Sequence, residues 1–199
     1  MFPDFLENPS DVAAPLLLGC TLTRTLTLNG EKHKLVARIV ETEAYDQDDP
    51  ASHAFGGPSD RNAAMFGPAG HLYVYVSYGM HHCCNVVCGP EGFGSGCLVR
   101  AVEPLEGVEV MRELREAGRA YKHPLKLRDL TNGPGKVCAA LGIDKELYGH
   151  DLTVEPLVLE FAPLLPGETI GRSPRVGISK NIDAPKRFFI EGNEFVSRA

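Results

Sequence analysis

The chain has 199 residues, 43% of them hydrophobic and 23% charged, a composition that excludes intrinsic disorder and a disulfide-stapled minidomain and suits one domain with a real core. The formal net charge of −6 argues on its face against a nucleic-acid partner. The distribution qualifies that: residues 1–50 set Arg24, Lys32, Lys34 and Arg38 against nine acids, whereas residues 172–187 hold Arg172, Arg175, Lys180, Lys186 and Arg187 against Asp183 alone. An acidic chain can therefore still present a basic face. The six cysteines show no C-x-x-C spacing and the N-terminus lacks the basic region of a secretory signal, so a reduced, intracellular protein is expected. The apolar run Val12–Leu18 is too short for a bilayer, and no membrane segment is predicted.

In chain order, Asn8-Pro9-Ser10 offers a cap ahead of a short helix over 11–18 that Gly19 closes. Thr21–Leu28 alternates as a strand, Asn29-Gly30 supplies a type I′ turn, and the chain returns through residues 32–45 as the second arm of a hairpin. That arm runs into Glu41-Thr42-Glu43-Ala44-Tyr45. Strand alternation puts Ile39, Glu41, Glu43 and Tyr45 on one face. If Ile39 faces the core, Glu43 points the same way and must be paired, protonated or placed in a cleft; otherwise these residues are simply a solvated strand end. Residues 46–70 read as a long loop, of a length that is usually functional, carrying His53, Arg61 and Asn62.

Residues 71–88 read as a second hairpin turning at Tyr78-Gly79, and Cys97–Val102 as the third strand of the same meander, with Arg100 in an odd place for an unpaired charge. Val110, Met111, Leu114 and Ala117 repeat at helical spacing. Asn132-Gly133-Pro134-Gly135-Lys136 opens a helix to about Leu141, either as a phosphate site with Lys136 or as an ordinary helix start. Strands are expected over 151–161, with Pro156 at an edge or bulge, and over 175–178, 187–190 and 195–197. The predicted fold class is α+β, mostly antiparallel, one domain spanning residues 1–199.

Three constellations could carry chemistry. His81, His82, Cys83, Cys84 and Cys88 invite a metal, but neighbours on a strand face opposite ways, so buried cysteines in a sheet are the expectation. Glu41 and Glu43, with Cα atoms about 7 Å apart, invite a glycosidase pair; two carboxylates on one strand cannot flank a sugar from opposite faces, so one of them does chemistry. Tyr73, Tyr75 and Tyr78 either stack bases or form a sheet core. Arg61, Arg100, Arg175 and Arg187 stand available for phosphates or base edges. Tyr78, just before the turn glycine, could act as a wedge.

The ordered motifs from Arg38 to Tyr45, His53, Arg61-Asn62, Met65-Phe66, Pro68-Ala69-Gly70, Leu72 to Tyr75, Tyr78-Gly79-Met80 and Asn85 resemble the alkyladenine (3-methyladenine) DNA glycosylase family. The resemblance continues through Arg100 to Gly107, Asn132 to Lys136, Arg175 to Ile178 and Arg187-Phe188-Phe189, nearly the whole chain. It implies a curved sheet with a protruding β-hairpin and several surrounding helices, acting as a monomer on double-stranded DNA containing damaged purines. It implies a hydrolase without metal or cofactor, releasing 3-methyladenine, 7-methylguanine, hypoxanthine or ethenoadenine. Glu43 matches the base that deprotonates water and Arg100 the arginine that helps hold that water. Tyr45, His53 and Tyr75 match the residues around the flipped base, Asn85 the one that crowds the 2-amino group of guanine, and Tyr78 the intercalating tyrosine. The backbone at Arg175-Val176-Gly177 matches a segment giving a carbonyl to the water site. Arg61, Lys136 and Arg175 are the candidates for the DNA backbone. The sequence departs from the family at Ser59, at the short acidic loop 46–52, and at Lys186, where bacterial members commonly have tryptophan. A base-binding module without catalysis and a carbohydrate-active glycosidase are the rival readings.

Overall fold

The computed structural model describes residues 4–118 and 121–197. Strand β1 (Thr21–Leu28) pairs antiparallel with β2 (Glu31–Asp46) through the Asn29-Gly30 turn, where Asn29 has φ 53° and Gly30 φ 84°, the left-handed pair that a two-residue hairpin needs. Strands β3 (Leu72–Ser77), β4 (His81–Val87) and β5 (Ser95–Glu106) form the expected meander. With β6 (Leu157–Glu160) the main order is β3-β4-β5-β2-β1-β6, and β7 (Ile170–Ser173) and β8 (Arg187–Ile190) branch from β2 to complete the eight strands.

The long strand β2 organises this sheet. One edge is taken by β5 along residues 36–46; the other is shared, by β1 as far as Arg38 and then by β8 at Glu41, Thr42 and Glu43. The backbone under both glutamates is thus pinned on both edges. Two bulges adjoin them: Val40 has no partner between the pairs Ile39↔Val102 and Glu41↔Ala101, and Arg100 has none between Ala101 and Val99. Bulges re-aim side chains. Simple alternation from Ile39 therefore fails: Ile39 lies in the main apolar cluster while Glu41 and Glu43 meet Arg100.

Helix α1 (Ser10–Leu16) packs on β2, with the Thr42 hydroxyl donating to the Ala14 carbonyl at 2.8 Å. It begins one residue before the predicted start because Ser10 is not its cap: the Ser10 N–H donates to the Asp46 carboxylate at 3.2 Å, so the end of β2 caps the helix. Helix α2 (Val108–Glu116) packs against α3 (Pro134–Leu141), which rests on β4 and β5. A second, small apolar cluster of Ala54, Met65, Tyr73 and Val87 anchors the 46–70 loop to β3. Gly94 permits that approach, since a Cβ there would lie 2.6 Å from Ala54 and 2.7 Å from the Phe66 ring.

Three strand expectations change. Of the 151–161 stretch only Leu157–Glu160 forms a strand; Asp151 makes a single antiparallel bridge to His71 and closes a turn by accepting from the N–H and hydroxyl of Thr153. Residues 175–178 and 195–197 are not strands, because β8 already occupies the edge of β2 that they approach, and the N–H groups of Val176 and Ser197 bond to carboxylates instead. Residues 170–173, not anticipated, supply β7.

Candidate active site

A cavity of about 570 Å³ opens between the 50–53 turn, the β3–β4 hairpin, β5 and residues 176–180, within the size range of small-molecule sites. Glu43 lies in its lining and has no exposed surface. Its Oε1 accepts from the Val176 N–H at 2.7 Å; its Oε2 accepts from the Tyr45 hydroxyl at 2.8 Å and from Arg100 Nη1 at 3.4 Å. Burial, then the adjacent Glu43 charge, pushes the Tyr45 hydroxyl well above its usual range, so Tyr45 stays a donor.

Glu41 is equally buried but is not part of the cavity lining. Its Oε1 accepts from Arg187 Nε at 2.6 Å, the Ser197 hydroxyl at 2.8 Å and Arg100 Nε at 3.1 Å, while Oε2 accepts from the Ser197 N–H at 2.7 Å. Two carboxylates and two guanidiniums thus neutralise one another out of water. Of the glutamates, only Glu43 faces space in which a reactant could sit.

The walls are aromatic. The His53 and Tyr75 rings meet edge-on with centroids 4.5 Å apart, and Tyr73 stacks on Tyr75 at 5.6 Å. His53 Nδ1 lies 2.9 Å from the Tyr73 hydroxyl. His53 keeps an exposed surface, yet desolvation by the groups packed around its ring, helped by the Arg61 charge, lowers its pKa and favours the neutral ring. Burial raises Tyr75 strongly and Tyr73 to about 12, so both stay neutral. Asn85 is buried in the lining beside Leu98, its side-chain amide 3.5 Å from the Tyr73 carbonyl. Beside the mouth, Tyr78 is 86% exposed with φ 51°, followed by Gly79 at φ 69° and an exposed Met80.

The structure therefore brings together Glu43, Arg100, Tyr45, His53, Tyr75, Asn85 and Tyr78. The cationic expectations need correction. Arg175 is not available to a phosphate: its side chain is fully buried, Nη1 donating to the Ala44 carbonyl at 2.9 Å, Nη2 lying 2.7 Å from Asp49, and its guanidinium over the Tyr45 ring at 4.6 Å. Arg187 is likewise enclosed around Glu41. The basic face expected from residues 172–187 is in large part turned inward, onto the acids of the first fifty residues. Lys186 pairs with Asp46 and Asp49 at 3.6 and 3.4 Å, so the acidic loop and the lysine, both departures from the family pattern, answer each other. Arg61 is exposed near His53 and Tyr73. Lys136 lies at the start of α3, donating to Asn132 at 2.7 Å, in a second, polar cavity with Lys126, Arg128 and Asp129.

Ser197 is absent from the site residues expected from the sequence, and two other participants take roles not assigned there. Tyr73, expected to stack bases or fill a sheet core, orients His53. The 175–177 backbone, expected to offer a carbonyl, gives the Val176 N–H to Glu43. A backbone donor and a lone serine carry no local signal, since they acquire their roles from contacts 133 and 156 residues away.

The methylpurine-DNA glycosylase family model matches residues 4–194. The chain is 46% identical to a protein of Nitrosospira multiformis, over 98% of this chain and 92% of that protein. It is 44% identical to one of Methanoculleus marisnigri, over 98% and 96%, and 49% identical to one of Chlorobaculum parvum, over 98% and 88%. Each of these relatives is provisionally named a 3-methyladenine DNA glycosylase.

Removing one partner of a buried charge group leaves the others uncompensated, at a cost of about 3–5 kcal/mol. Glu41→Gln should therefore lower stability by that order in urea unfolding, and more than Glu43→Gln, whose contact with Arg100 is long. Equal midpoints for the two variants would contradict the structural role of Glu41.

Proposed function

Because the chain belongs to the methylpurine-DNA glycosylase family, a family of hydrolases acting on N-glycosyl bonds, we propose that it excises alkylated or deaminated purines from duplex DNA with a water activated by Glu43. The observation that carries this reading is a fully buried carboxylate inside an aromatic cavity, with an exposed tyrosine on the hairpin beside it. A base within a duplex is out of reach, so the nucleotide must rotate outward; a lesion with weakened pairing costs less to extrude. Tyr78, already projecting, fills the gap. The extruded base enters among Tyr45, His53 and Tyr75, and an N-alkylated purine, being cationic, gains from the π-faces there. Asn85 at the floor crowds a 2-amino group and disfavours guanine.

Loss of the base leaves positive charge on the sugar. Glu43 then serves twice, taking the proton from water and facing the cationic sugar electrostatically. Arg100 holds the same carboxylate and the water beside it. The cavity lining includes Lys180 as its one lysine among the described residues, and that residue is exposed; we therefore assign direct hydrolysis without a Schiff base, and no strand cleavage. The substrates assigned are 3-methyladenine, 7-methylguanine, hypoxanthine and ethenoadenine. Arg61 and Lys136 are assigned to backbone phosphates.

Glu43→Gln should reduce release of 3-methyladenine from alkylated duplex by at least about 10²-fold while duplex affinity stays within about tenfold; retained release would remove Glu43 as the base, and no release from the parent protein would leave only a base-binding module. Tyr78→Ala should weaken binding to lesion duplexes about tenfold and binding to abasic single strands far less, because only the duplex presents a gap to fill; gel-shift titrations giving equal losses would remove the wedge. Lys136→Ala should reduce the slope of log affinity against log salt by about one without changing lesion preference, and an unchanged slope would remove Lys136 from the interface.

A further inference from the structure

The guanidinium of Arg100 is gripped on three sides. Nε donates to Glu41 at 3.1 Å, Nη2 donates to the Ser197 hydroxyl at 3.3 Å, and Nη1 reaches Glu43 at 3.4 Å. Only the last contact faces the cavity; the other two determine where Nη1 points. A serine hydroxyl has one proton to give and lone pairs to receive, and here both are used: the proton goes to Glu41 at 2.8 Å and a lone pair takes Arg100. The Ser197 N–H and carbonyl add bonds to Glu41 at 2.7 Å and from Arg187 Nη2 at 3.0 Å. Phe195, buried in the main core, and the Phe195 N–H on Asn193 Oδ1 at 2.9 Å hold the segment in place.

We propose that Ser197 is a positioning residue for the glycosylase reaction: its hydroxyl locks Arg100 to Glu41 so that Nη1 is presented to Glu43 and to the water beside it. This rests on the reading of Glu43 as the base. Without the hydroxyl, Nη2 loses its acceptor among the described residues and the guanidinium can pivot about its bond to Glu41. Glu41 itself keeps three donors, so the charge group survives. The effect should therefore fall on geometry more than on folding, and misplacements of about 1 Å cost up to about 10²-fold in rate.

The test combines single-turnover release of 3-methyladenine with nitrogen NMR of arginine-labelled protein. Ser197→Ala should slow release about tenfold with lesion-duplex affinity unchanged, and Ser197→Thr, which keeps the hydroxyl, should recover most of the rate. In an Arg100→Gln background Ser197→Ala should cost nothing further, because the two act as one unit. Val196→Ala trims the same segment without touching the network, and should lower Tm while keeping the rate. If Ser197→Ala does not fold, Ser197→Cys, close in shape and a weak acceptor, takes its place. The NMR arm should resolve the Arg100 Nη hydrogens individually in the parent protein and merge them in Ser197→Ala. A parental rate in Ser197→Ala, a loss that adds fully to that of Arg100→Gln, or unchanged Arg100 signals would each overturn the proposal. Absence of base release from the parent protein would instead overturn the reading of Glu43, and the NMR arm would still decide whether Ser197 fixes Arg100.

Discussion

Everything at the cavity depends on one neutral group of buried charges, in which Glu41 and Glu43 are held by Arg100 and Arg187. None of the four could be buried alone, because desolvating a single ion costs several kcal/mol. Together they allow a carboxylate to sit at the floor of a chamber walled by aromatic rings. Their division of labour follows from donor count: Glu41 is saturated by charged and backbone donors and closed off from the cavity, while Glu43 is held by a tyrosine, a backbone N–H and one long guanidinium contact. The saturated partner acts as frame, and the other retains a face for chemistry.

A second electrostatic theme is the folding of acidic sequence onto basic sequence. Asp49 illustrates it. Burial alone would raise its pKa, but the Ala51 N–H, Asn181 and the charges of Arg175 and Lys186 leave it below the usual carboxylate range. Since its folded pKa is depressed, this clamp contributes stability above about pH 4, where an unfolded aspartate is already ionised, and loses it as pH falls further. The clamp joins the 46–53 wall of the cavity to the 176–180 wall, and Arg175 lies under Tyr45 as part of it. Net charge was thus a poor guide to surface charge, because the cations of one segment are consumed by the anions of another.

Much of this was legible in the sequence, for identifiable reasons. Alternation and turn chemistry located both hairpins, the Tyr78-Gly79 tip and the strand carrying Glu43, because those features are set by neighbouring residues. The motif order from Arg38 to Asn85 pointed to the family before any coordinates. What stayed hidden is long-range. The bulges at Val40 and Arg100 reset which face the glutamates take, and single-strand periodicity cannot register an extra residue. Residues 175–178 and 195–197 have strand-like composition, yet the edge they approach was already occupied by β8. Arg175 looked like a surface cation because a guanidinium's partner, here Asp49, need not lie nearby in the chain.

The spread of the charge group along the chain, over positions 41, 43, 100 and 187 with Ser197 beside them, also bears on how the molecule folds. Loops of this length must close before any of these contacts forms, which makes the arrangement one of high contact order. Because a lone buried ion is so unfavourable, the members enter the interior together or remain in water. The cavity floor therefore belongs to the cooperative unit of the fold rather than to a locally stable module, and a partly folded chain would carry the exposed tyrosine hairpin without the carboxylate frame behind it.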